Sequence, residues 1–141
     1  MADDGLSRMS LTEISGAIAK HEVSSKEVVQ NTLELLEQQG NTLNCVARLF
    51  PEDALTEAEL ADQELSSGNS RGPLHGVPLT HKDMFYRNGK ITACGSRICE
   101  NYIPSVTATA LIKLDSSGAL DIGRLNMVEF AYGLTGHNEI T

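Results

Sequence analysis

Helical stripes with their own start and stop signals alternate with short apolar runs along this chain, and that alternation restricts the fold more than any other feature. Ser10-Leu11-Thr12-Glu13 has the form of a capping box, in which a Ser and a Glu three residues on satisfy each other's free backbone N–H groups. Leu11, Ile14, Ala17 and Ile18 follow at helical spacing, which predicts a helix over 11–20. Ser24-Ser25-Lys26-Glu27 repeats the signal, and Val28, Val29, Thr32, Leu33 and Leu36 predict a helix over 25–39 that stops at Gly40. Residues 45–50 read as a strand. Pro51 then opens a helix over 52–67 whose apolar face is Ala54, Leu55, Ala58, Ala61 and Leu65, and 68–73 is a loop. Further on, 77–83 and 119–122 read as strands. Residues 107–117, with Leu111, Ile112 and Leu114 inward, and 126–132 read as helices ahead of a Gly-rich tail. Helices interleaved with short strands predict an α/β fold, a sheet covered by helices. No repeat or linker divides it, so 1–141 is expected to belong to one domain, helical over about 10–70 and carrying strands over 72–141.

Composition removes several classes of function. The net charge is −8, and six acids with no base lie between Glu52 and Glu64, so the basic footprint that phosphate binding needs is missing and direct nucleic-acid contact is not expected. There is no run of 18 apolar residues and the start, Met1 to Gly5, is acidic, so neither a membrane span nor a secretory leader is expected. Cys94 and Cys99 stand at C-x4-C without a second pair, and Cys45 is alone. These are expected to be reduced thiols in a cytoplasmic protein, with no metal. His75 and His81 have no evident third ligand and are expected to make structural polar contacts.

The run Leu74-His75-Gly76-Val77-Pro78-Leu79-Thr80-His81-Lys82-Asp83-Met84-Phe85 poses the chemical question, because a lone ammonium is unfavourable inside an apolar strand. On a strand, Lys82 shares a face with Thr80 and Met84, while His81 and Asp83 point the other way. Pro78 lacks a donor and belongs at a strand start or edge. Lys82 is then either a snorkelling edge lysine paired with a carboxylate, or a desolvated lysine turned inward to serve as a general base.

Four linked motifs favour the second reading. GPLHGVPLTHKD over 72–83, TACGS over 92–96, a helix ending in Gly-Ala before a strand over 107–122, and NMVEFAYG over 126–133 appear in the order in which the amidase signature family carries them. The chain resembles the N-terminal portion of that family, closely over 72–138 and loosely from residue 10. The resemblance implies a mixed sheet wrapped by helices and hydrolysis or transfer of amide groups by a Ser–cis-Ser–Lys triad. Lys82 would be the triad lysine, a neutral amine that takes a proton from a bridging serine, which relays it from the nucleophilic serine. It also implies no cofactor, a small-molecule amide as substrate, and Tyr132, Gly133 and Leu134 as substrate contacts.

The family's two triad serines lie downstream of the NMVEFAYG segment, so this chain is expected to carry only the lysine. Ser66-Ser67-Gly68 and Ser116-Ser117-Gly118 fall where helices end, which accounts for them without chemistry. Asp121 departs from the family's usually apolar strand and calls for a partner. The wording around TGHN is nearer the general bacterial amidases. The A subunit of a tRNA-dependent amidotransferase and a non-catalytic fragment or interaction module stand as alternatives. By itself the chain is expected to leave apolar faces and strand edges uncovered and to associate, including into homo-oligomers.

Overall fold

The computed structural model describes residues 5–140, apart from the side chain of Asn41; the acidic start Met1 to Asp4 and Thr141 lie outside the described residues. Both capping boxes form. Ser10 and Glu13 bond reciprocally at the head of α1 (Leu11–Ala19), and Ser24 and Glu27 do the same ahead of α2 (Ser25–Leu43). α2 runs past the expected stop at Gly40. That glycine is present for packing, since a Cβ there would lie 2.6 Å from Val46 Cγ2, and the helix ends instead at Asn44, which takes a left-handed φ of 48°.

The strand β1 (Val46–Leu49) leads into α3 (Pro51–Ser66), whose Ala54, Ala58 and Ala61 are buried as the periodicity requires. β2 (Pro78–Lys82), α4 (Thr109–Ser116) and β3 (Leu120–Leu125) complete the regular structure. The sheet order is β1-β3-β2, with β3 antiparallel to β1 and parallel to β2. Pro78 opens an edge strand, where its missing donor is harmless. The serines that precede Gly68 and Gly118 all donate back to helix carbonyls, Ser66 to Asp62, Ser67 to Gln63, and Ser116 and Ser117 both to Lys113.

The core has two parts. Val29 and Leu33 of α2, Ala54 and Ala58 of α3 and Leu120 and Ile122 of β3 form one; Ile18, Val28 and Val77 form the other, under α1 and the start of β2. Two further expectations fail. Ile112 is exposed, because α4 buries only Leu111 fully. The helix expected over 126–132 shrinks to a single 3-10 turn, Glu129–Ala131. β3 continues to Leu125 and uses up the approach, and Phe130 and Ala131 take positive φ values of 50° and 60°, which no helix allows.

Candidate active site

Lys82 is the last residue of β2, in register with Leu125 of β3. The expected alternation holds, but the face turned inward is the opposite one. His81 and Asp83 are buried at 8% and 2% exposure, whereas Lys82 is exposed together with Met84 and Phe85. The reason is that polar groups fill the inner side of this strand end. Lys82 is on the opposite face, where it is exposed, and β2 is also an edge strand of the sheet. No carboxylate among the described residues pairs with its amine, in contrast to Lys26 with Glu59 and Arg71 with Glu64, each at 2.6 Å.

What holds the strand end is a hub around Asp121. Arg124 donates two hydrogen bonds to its carboxylate at 2.6 and 3.0 Å, Arg87 lies at 2.5 Å, and His81 Nε2 at 3.9 Å. Residues 121 and 124 would face opposite sides of a regular strand. They meet because the register slips at Ile122, which β2 skips between Leu79 and Thr80. Arg124 is fully buried, its guanidinium carbon 5.2 Å from the centre of the Phe50 ring. Asp115 accepts two further bonds from Arg87. The partner that Asp121 was expected to need is thus a pair of arginines. Burial pushes the His81 imidazole below its ordinary range, and Arg124 and Arg87 act in the same direction against the pull of Asp121 and Asp115.

On the other side of Lys82, the TACGS and NMVEFAYG segments lock together. Ser96, buried, donates to Glu129 at 2.6 Å, and Phe130 N–H donates to the Cys94 carbonyl. Asn138 donates to the carbonyls of both Gly95 and Met127. Gly95 has φ of 62°, and a Cβ there would stand 2.6 Å from the Met127 carbonyl oxygen, so only glycine fits the lock. A cavity of about 360 Å³ opens between these loops and β1, lined among others by Arg48, Asp83, Ser96 and Met127.

The tail residues are brought to no enclosed site. Tyr132 and Leu134 are fully exposed and Gly133 is exposed, so Tyr132 is not core. Tyr132 does line a cavity of about 240 Å³ with Val128 and His137. His75 is a structural group: its Nε2 lies 2.8 Å from the Ala61 carbonyl and its Nδ1 accepts from Arg71 N–H at 3.0 Å. Among the described residues no cluster of three metal-ligating side chains occurs, and no helix is long and apolar enough to cross a membrane. Sequence reading missed the roles of Arg87, Arg124 and Arg48. The one available signal was a charged pair, Asp121 and Arg124, inside an otherwise apolar run.

The amidase family profile matches residues 27–141, and the chain belongs to that family. It is 38% identical over 133 residues to the A subunit of the glutamyl-tRNA(Gln) amidotransferase of Geobacter sulfurreducens, a match that covers 94% of this chain and 27% of the relative. Among solved structures it is similar to a fatty acid amide hydrolase, with 28% identity and a TM-score of 0.90 over 97% of this chain and 24% of the other. The peptide amidase of Stenotrophomonas maltophilia gives 31% identity and a TM-score of 0.81 over 88% and 26%. The chain therefore spans about a quarter of the length of the proteins it matches, and the expected α/β class agrees with theirs.

Proposed function

We propose that this chain supplies the lysine end of an amidase active site that hydrolyses carboxamide C–N bonds through a Ser–cis-Ser–Lys triad, with Lys82 as the triad base. One observation carries the reading: Lys82 stands at a strand end, open on one side, with its backbone clamped and no carboxylate partner for its amine among the described residues. An ion-paired lysine would be held as ammonium; an unpaired one is free to give up its proton when a serine-bearing segment covers it. The neutral amine then takes a proton from the bridging serine, which draws one from the nucleophilic serine as its oxygen attacks the amide carbon. The proton held by the lysine then passes back through the bridging serine to the leaving nitrogen as the C–N bond breaks. Water attacks the acyl-serine through the same relay to release the acid and restore the serine. Tyr132, Gly133 and Leu134, on the exposed tail, contact the acyl part of a small amide. Three unpaired cysteines suit the reducing cytoplasm.

A second reading is the A subunit of a tRNA-dependent amidotransferase, favoured by the 38% identity to one such protein. There the same lysine would serve amide transfer, and the tRNA would be bound elsewhere in the assembly, given the net charge of −8. The test measures ammonia release from a panel of primary carboxamides by the polypeptide of the complete reading frame. Turnover that Lys82→Met abolishes is expected, whereas residues 1–141 alone should be inactive. Undiminished turnover by Lys82→Met would refute the role. Turnover confined to glutamine in the presence of partner subunits and glutamyl-tRNA would select the second reading.

A further inference from the structure

Lys82 makes no side-chain hydrogen bond or ion pair among the described residues, so the direction of its amine is fixed through its backbone. The carbonyl of Lys82 accepts from Met84 N–H at 2.7 Å and from Phe85 N–H at 3.2 Å, which turns the chain sharply after β2. The other side of the turn is held by Asp83. Its N–H donates to the Leu125 carbonyl at 3.2 Å, its carbonyl accepts from Cys94 N–H at 2.8 Å, and its side-chain Oδ2 accepts from Ala93 N–H at 3.2 Å. One residue thus ties the lysine's root to β3 and to the TACGS segment at once.

The side chain of Asp83 is unusually placed for an acid. It is 2% exposed, and its second oxygen, Oδ1, is sealed from solvent without a hydrogen-bond partner. The sealed Nη1 of Arg48, which lines the same cavity, also lacks one. Burial raises the Asp83 carboxyl above the ordinary carboxylate range, against the pull of Arg48 and the Ala93 bond. Packing alone would be served better by an apolar residue, so the bond to Ala93 is the feature that rewards a polar side chain here.

Resting on the reading of Lys82 as the triad base, we infer that Asp83 is its positioning residue: through Ala93 N–H it holds the strand end so that the adjacent amine projects toward the serines. Lys82 and Asp83 point to opposite faces of β2. Asp83 therefore acts on the lysine by aiming it, and does not pair with it.

The test uses the polypeptide of the complete reading frame with Asp83→Ala and Asp83→Asn, scored by kcat and KM separately. An asparagine oxygen still accepts from Ala93 N–H. Misplacing a reacting group by about 1 Å lowers rates about 100-fold. Asp83→Ala is thus expected to lose about that factor in kcat with KM nearly unchanged. Asp83→Asn should keep kcat within about tenfold of the wild type, the conservative variant restoring the anchor without the charge. Full kcat in Asp83→Ala, or equal losses in both variants, would overturn the inference. So would Asp83→Ala failing to fold while Asp83→Asn folds with full activity, since that assigns the bond to folding. An active Lys82→Met would instead remove the underlying reading of the site, and the two failures are told apart in one experiment.

Discussion

Replacing Asp121 by Asn tests the hub that seats the lysine strand. The substitution keeps shape and removes one charge from beneath two guanidiniums. Arg87 is left with Asp115, to which it already donates two bonds of 2.9 Å, so it is not orphaned. Arg124 loses its counter-charge: its side chain has no solvent exposure and would keep the single asparagine oxygen, the Gly123 carbonyl and the Phe50 ring. Removing one partner of a buried pair costs about 3–5 kcal/mol, and the residual contacts of Arg124 place this case at the lower end of that range. For a chain of this size that corresponds to a fall in Tm of about 10 °C and to a large part of an ordinary domain's stability. Urea unfolding followed by circular dichroism measures it, with the slope m expected to stay constant. A companion variant, Asp121→Leu with Arg124→Leu, removes both charges and should recover most of the loss, because an apolar pair of similar volume needs no desolvation. A loss below about 1 kcal/mol in Asp121→Asn would show that water or rearrangement reaches Arg124 and that the hub is not buried as described.

Three further outcomes follow from the same geometry. Gly16 in α1 has nothing within 4 Å of an added Cβ, and Gly40 in α2 has Val46 Cγ2 at 2.6 Å. Gly16→Ala should therefore stabilise by about 0.5–1 kcal/mol and Gly40→Ala should destabilise by about 1 kcal/mol, and equal gains in thermal melts would contradict the packing of α2 on β1. His81 is held below its ordinary range, so the unfolded chain binds the extra proton first. Stability is then full above about pH 6.5 and falls as pH drops from there through the folded-state value, and His81→Gln should flatten that part of the urea-midpoint profile. Ser96→Ala breaks the buried bond to Glu129 and leaves the carboxylate without that donor; a loss of about 1–3 kcal/mol is expected, and an unchanged unfolding midpoint would dismiss the lock between the two loops.

Much of the fold was legible because the signals were local. Capping boxes, an N1 proline and alanine spacing fixed α1, α3 and the head of α2 within a residue or two. What was not legible depends on residues far apart in the chain. Gly40 looks like a stop, yet it is a contact point for Val46. The NMVEFAYG segment has helical composition, yet its bonds to Cys94 and Ser96 pull it into a single 3-10 turn. The site shows the same division. Lys82 stands out as an anomaly in an apolar run, and the alternation places its neighbours on the opposite face. Which face is inside could not be read, because that depends on Asp121 and Arg124, brought together by a one-residue slip that no local pattern encodes.

That slip also explains how an acidic chain keeps a lysine unpaired. With 19 acidic residues against 11 basic ones, a lysine at a strand end would ordinarily find a carboxylate within reach. One acid adjoins Lys82, Asp83, and does not pair with it; Asp121 stands on the neighbouring strand opposite Leu79, while Lys82 is opposite Leu125. The pleat turns Asp83 to the inner face, where Ala93 N–H engages it. The slip at Ile122 commits Asp121 to Arg124 and Arg87 on that same inner side. The outer side is left to Thr80, Met84 and Phe85, none of which carries a charge. The hub and the Asp83 anchor therefore do two things at once: they fix where the strand ends, and they withdraw negative charge from the side on which the amine emerges. A carboxylate placed on that side should undo the second effect and leave the first intact. Thr80→Asp, two residues before Lys82 on the same face, is expected to pair with the amine and to lower kcat of the complete polypeptide with little change in unfolding midpoint. Undiminished kcat in a folded Thr80→Asp variant would mean that the activity does not depend on keeping carboxylates away from the Lys82 amine.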